Sequence, residues 1–240
     1  MTNLSAAPGF TPAPTFVSYR FFHRVGMFVL AALVFFLAAI PSVLFLPAEM
    51  QSYLSFTSTA GIAALLLLAL FAWQYRADPG SQFRGVSLKF LKVGALAIIA
   101  SYLLCGVAIF VLGQPQEAFM AQLLTGLTSW QGAIKIASLI LFPPIAEELF
   151  FRHYLLRLFP YESSPAWKWI AIIATSAIFA GMHIQYGNWT TVVLIFACGW
   201  VFAVARIASG GLLVPILLHS LAEIVALSSD WSFRLMGLYS

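Results

Sequence analysis

The chain has 240 residues, of which 62% are hydrophobic and only 8% charged. A soluble domain carries roughly 25% charged residues, and no single core of this size could hide so much apolar surface, which excludes a water-soluble globular protein. The formal net charge of +4 is too small to point to nucleic acid, and the two cysteines, Cys105 and Cys198, fit neither a disulfide framework nor a metal motif. Their expected role is that of small packing residues.

Residues 1–18, rich in Pro, Ala, Thr and Ser, read as a short disordered tail before a single transmembrane domain over 19–240. Arg20, His23 and Arg24 precede an apolar run from Val25 to Leu46. That run is longer than the apolar region of a signal peptide and reads as an uncleaved first span. Further runs at about 58–75, 93–112, 134–158, 168–186, 189–206 and 212–229 approach or meet the ~20 residues a bilayer requires. Backbone polar groups in lipid must be satisfied within the segment, and these runs are too long for barrel strands. The expected fold is all-α, a polytopic transmembrane helical bundle of about seven spans.

Charge placement sets the expected orientation. With the N-terminus in the cytoplasm, the inner side carries Arg20, Arg24, Arg76, Arg84, Lys89, Lys92, Arg157, Lys168 and Arg206, and the outer side only Arg234, with Lys135 near an outer helix end. This asymmetry predicts N-in/C-out. Ser81 to Lys92 and Pro115 to Trp130 are expected as interfacial helices, the second from Phe119, Leu123 and Leu127 at four-residue spacing. Trp167, Trp169 and Trp189 suit interfacial belts. The expected setting is that of an integral, multi-pass membrane protein, in contact with lipid and not with nucleic acid.

The later spans hold polar residues that do not belong in lipid. Pro143-Pro144-Ile145-Ala146-Glu147-Glu148-Leu149-Phe150-Phe151-Arg152 places two carboxylates and an arginine at membrane depth, where ionisable groups are expensive and mark function. Glu148 and Arg152, four apart, share a helical face and can pair, whereas Glu147 points about 100° away without a local partner. This suggests one structural carboxylate and one left for chemistry. Phe179 and His183 are one turn apart, as are His219 and Glu223. His153 reads as a packing or interfacial histidine. At 1.5 Å per residue, Glu147 and His219 come out at matching depth, but His183 falls about 10 Å too far toward the outer face.

A glutamate in a low-dielectric site suits a general base on water and later an acid toward a leaving amine. A histidine beside it would hold and polarise that water, and a second would donate to a developing oxyanion. No Gly-x-Ser-x-Gly elbow or His-Glu-x-x-His motif is present, which disfavours a serine nucleophile and a thermolysin-type zinc site.

Glu147-Glu148-Leu149-Phe150-Phe151-Arg152 resembles the Glu-Glu-x-x-x-Arg motif of the CPBP intramembrane proteases, the CAAX-processing and bacteriocin-processing (Abi) glutamic-type enzymes. Phe179 to His183 resembles their Phe-x-x-x-His motif, and His219 the histidine of their third, His-x-x-x-Asn or Asp. The core similar to this family covers about 134–229. The resemblance implies an intramembrane endopeptidase without a cofactor, acting on a peptide or protein that enters from the membrane. Glu147 would activate water, Glu148 would pair with Arg152, His183 would help bind the water and His219 would stabilise the oxyanion. Glu223 departs from the family pattern: it can donate a hydrogen bond only when protonated. Three other readings use the same residues. Glu147, His183 and His219 would form a Zn²⁺ site with an open position; intramembrane Glu and His would serve proton-coupled transport; or the chain would be a non-catalytic immunity or scaffold protein.

Overall fold

The computed structural model describes residues 20–76 and 87–239. Among them the chain is helical, with no strand. In order come α1 (Phe21–Leu37), α2 (Ala39–Phe45), α3 (Ala48–Gln74), α4 (Leu88–Val111), the short α5 (Ala118–Gln122), α6 (Ser129–Glu147), a π-helical segment (Glu148–Leu155) closed by a 3₁₀ turn, α7 (Pro165–Gly181), a second 3₁₀ turn (Ile184–Tyr186), α8 (Trp189–Ser209) and α9 (Leu213–Leu235).

Local chemistry explains several boundaries. Thr128 opens α6 with a capping box: its hydroxyl accepts from the Gln131 amide at 3.4 Å, while the Gln131 side chain accepts from the Thr128 amide at 2.9 Å. Ser164 caps α7 through the Trp167 amide, with Pro165 in the first helical position. Gly210 ends α8 at φ +70°, a left-handed turn suited to glycine.

Six helices among the described residues are long and apolar enough to cross a membrane: Phe21–Phe45, which joins α1 and α2, Ala48–Gln74, Leu88–Val111, Pro165–Tyr186, Trp189–Ser209 and Leu213–Leu235. The expected seventh, 134–158, is the composite of α6 and the π segment and falls outside this set. Gln131, Lys135 and the paired prolines dilute the apolar character of α6, and the π segment carries the carboxylate and cations. The composite is packed by protein: α3 lies along α6, and α1, α3, α7 and α8 surround the π segment. Helices α7 and α8 pair, and α4 packs on both α8 and α9.

Other expectations are modified. Pro115 to Trp130 is not one amphipathic helix: only Ala118–Gln122 is α-helical, and Gly126 turns the chain at φ +74°. Leu123 is buried, and the Phe119 ring meets Tyr186 at 5.1 Å, so this segment folds onto the bundle. Of Ser81 to Lys92, residues 81–86 lie outside the described residues, and Leu88 onward belongs to α4 itself. The expected tail and Arg84 also lie outside them.

Candidate active site

The site begins at a change of helical pitch. Pro143 and Pro144 remove two amide donors from the last turns of α6, so the carbonyls one turn back lose their usual partners. After Glu147 the helix widens into the π segment, a rare form that is frequent at functional sites. All eight of its residues are buried. The widening starts between the two glutamates and sends their side chains to different surroundings.

Glu148 is fully buried and bridges two elements. Its Oε2 stands 3.3 Å from Arg152 Nε, and its Oε1 accepts from His219 Nδ1 at 2.9 Å. The Arg152 pairing follows the sequence expectation; the second partner does not, because His219 lies 71 residues away on α9. Arg152 is also fully buried and donates through Nη2 to the Gly199 carbonyl at 3.0 Å. Its guanidinium lies 4.5 Å from the Phe179 ring centre and 5.3 Å from that of Phe202, an electrostatically favourable stacking.

The two histidines are held by their Nδ1 atoms. His183, just beyond α7, donates from Nδ1 to the Phe179 carbonyl at 2.7 Å. A carbonyl only accepts, so this bond fixes the Nδ1–H tautomer and leaves Nε2 free to face the site. The His219 ring is stacked on Phe202 at 4.8 Å and meets the edge of Phe179 at 5.7 Å. Both Nε2 atoms converge on Glu147 Oε2, at 4.0 Å from His183 and 3.9 Å from His219. That Oε2 atom is buried and has no hydrogen-bond partner. Glu223 Oε1 stands 3.7 Å from His219 Nε2 and is the most open of the group, at 27% exposure.

Glu147, Glu148, Arg152, Phe179, His183, His219 and Glu223 are therefore neighbours in space. The 10 Å depth mismatch for His183 is absent, since its Nε2 is 4.0 Å from Glu147. That reckoning took the helices as straight and parallel to the membrane normal, whereas His183 sits in an irregular turn past the end of α7. His153 is elsewhere: buried, it donates from Nε2 to the Gln74 side chain at 3.1 Å and packs among Phe71 and Tyr75. Phe202, Gly199 and Tyr186, whose ring runs nearly parallel to that of His183, were not foreseen. Gly199 carries a readable reason for being glycine. A Cβ there would stand 3.1 Å from the Phe179 ring, 3.3 Å from Ser176 Cα and 3.4 Å from Arg152 Nη2.

A cavity of about 140 Å³ opens from His183, His219 and Glu223 along α4, α8 and α9 to Glu117, Asp230 and Tyr239. Both cysteines line it; Cys105 donates its thiol proton to the Thr190 carbonyl at 3.7 Å. Among the described residues no group of three or more His, Cys, Asp or Glu is arranged to hold a metal ion. The arrangement can place a water against a carboxylate and two imidazoles, with an adjoining space for a chain.

Fold and site together define a class: a polytopic helical membrane protein with a carboxylate–imidazole cluster inside its bundle. Residues 128–225 match the family described as type II CAAX prenyl endopeptidase Rce1-like. The chain belongs to this CAAX protease family, and its membership makes it a membrane-embedded protease. It is also 32% identical over 186 residues to an Escherichia coli protein described as an uncharacterized 24.3 kDa protein, covering 74% of this chain and 81% of that one. No solved structure matches the chain.

Proposed function

We propose that the chain is a glutamic-type intramembrane endopeptidase of a bacterial plasma membrane, oriented with its N-terminus inside, in which Glu147 activates water for attack on a peptide bond. The observation that carries this reading is the convergence of His183 Nε2 and His219 Nε2 on Glu147 Oε2 at 4.0 and 3.9 Å. These separations exceed direct hydrogen bonds and suit a shared water, since two bonds of about 2.8 Å through one oxygen span roughly 4 to 5 Å.

The water donates one proton to Glu147 and its oxygen attacks the scissile carbonyl. His183 Nε2 accepts the second water proton as a hydrogen bond and so orients the attack. His219, carrying a proton on Nε2, donates to the oxyanion; Glu148 balances the charge of that ring and holds it through Nδ1. Collapse of the intermediate breaks the C–N bond, and Glu147 returns its proton to the leaving amine. Glu223 lies beside the same Nε2 and, as a neutral acid, would add a second donor.

The zinc reading uses the same donors. Tetrahedral ligands at about 2.0–2.1 Å from one ion stand about 3.4 Å apart, closer than the 3.9 and 4.0 Å found here, so metal-free hydrolysis is favoured.

The test compares peptides released by membranes holding wild type with those from Glu147→Gln, by mass spectrometry. Cleavage is expected to fall by at least about 10²-fold, the scale of general base catalysis, with thermal stability retained. Full cleavage by a folded Glu147→Gln protein would overturn the role of that residue. A biological effect that survives the substitution would favour a scaffold or immunity protein, and substrate-driven proton flux in proteoliposomes would favour a transporter.

A further inference from the structure

Resting on the protease reading above, we propose that the polypeptide to be cut reaches the site from the outer face of the membrane. Its substrates are then outward-facing segments of exported or membrane-anchored polypeptides, not cytosolic tails.

The cavity belongs to one end of the bundle. Its wall on α4 runs from Tyr102 to Ile109, in that helix's C-terminal half, and on α8 from Thr191 to Phe202, in its N-terminal two thirds. Along α9 it continues from His219 to Phe233, and α5 and Tyr239 form its rim. Helix direction puts all these stretches on the same side of the site.

Among the described residues the opposite side of the site is tightly packed. There the chain below Glu147 is the wholly buried π segment, with Leu156 beneath it and Leu212 at the foot of α9, both with no exposure. No described lining residue of the cavity comes from the π segment.

Charge then orients the two ends. Arg20, Arg24, Lys89, Lys92 and Lys168 start α1, α4 and α7, while Arg76, Arg157 and Arg206 end α3, the 3₁₀ turn and α8. All lie at the closed end. The open end carries Lys135 and Arg234 against Glu49, Glu117 and Asp230. By the excess of Lys and Arg in cytoplasmic segments, the closed end faces the cytoplasm and the cavity faces outward. A segment in the cavity meets apolar and aromatic walls before it reaches Glu147, so an outward-facing stretch next to a membrane anchor is the fitting substrate.

A native cysteine in the cavity wall, Cys105, serves as the probe, and two introduced cysteines mark the ends of the bundle. Cys198→Ser leaves Cys105 as the single thiol in the cavity wall. A membrane-impermeant maleimide is applied to right-side-out and to inside-out membrane vesicles. In a cysteine-free background, Met120→Cys marks the cavity rim and Lys89→Cys the closed end. Cys105 and the cysteine at 120 are expected to react in right-side-out vesicles only, and the one at 89 in inside-out vesicles only. Reaction of Cys105 from the inner face, or from neither face, overturns the proposal, as does reversal of the two markers. These results do not depend on proteolysis, so the same labelling in Glu147→Gln separates a wrong route from a wrong activity. In wild-type cells the new peptide termini absent from Glu147→Gln should map to outward-facing segments; termini on cytosolic tails would overturn the substrate class.

Discussion

Arg152→Met separates what holds the proposed site from what would run it. The guanidinium is fully buried and has two polar partners, the Glu148 carboxylate at 3.3 Å and the Gly199 carbonyl at 3.0 Å. Methionine fills much of the same volume but leaves the Glu148 carboxyl group at 0% exposure, with only His219 Nδ1 against it. Removing one member of a buried pair costs about 3–5 kcal/mol, because the other charge is stranded. At 2–4 °C per kcal/mol for a chain of this length, melting should fall by roughly 10 °C. Replacing both members by hydrophobic residues is often close to neutral. Arg152→Met with Glu148→Leu should therefore recover most of the lost melting temperature. It should not recover cleavage, because His219 has lost the acceptor that aims its Nε2. The assay is thermal unfolding of detergent-purified protein by size-exclusion or tryptophan fluorescence, beside peptide release from membranes. A single Arg152→Met variant melting within about 2 °C of wild type would refute the stranded-charge argument. A double variant that cleaves normally would refute the positioning role of Glu148.

His183→Ala should lower the rate of peptide release by about 10²-fold or more and cost about 1 kcal/mol of stability, the net worth of the bond to the Phe179 carbonyl; kinetics and melting on one preparation check both. Gly199→Ala should destabilise by about 1–3 kcal/mol, since the added methyl meets Phe179, the Ser176 backbone and Arg152 at once; the drop in melting temperature reads it. Cleavage should persist when purified protein is treated with a strong zinc chelator, and loss of activity restored by added Zn²⁺ would bring back the metal reading.

The parts of the candidate site that could be read from the sequence are those set by local spacing. Glu148 with Arg152, and Phe179 with His183, lie four residues apart, and a helix of either pitch keeps such pairs close. The contributions of α8 could not be read this way. Phe202 and Gly199 look like any aromatic and any small residue in an apolar run, and only the packing of α8 on the π segment and α9 makes them neighbours of Arg152 and His219. The second partner of Glu148 was hidden for the same reason. The bundle itself was legible because apolar runs of bilayer length have few alternatives in lipid. By its sequence the composite segment reads as an ordinary span, since hydropathy does not distinguish a helix facing lipid from one wrapped in protein. The change of pitch at Glu147 had one visible sign, the adjacent prolines, and these mark a disturbance without saying what form it takes.

Helix α7 stops beside the chemistry, and its last carbonyls need donors from outside the helix. The ring of His183 supplies one, to Phe179. The length of α7 and the proton position on that imidazole are consequently a single trait. The Phe179 carbonyl also accepts from the Met182 amide at 3.2 Å, and one more residue of regular helix would exchange that bond for one from the His183 amide and turn the ring away from the carbonyl. A short insertion or deletion near Gly181 should thus silence the protein while leaving every charged side chain in its sequence intact.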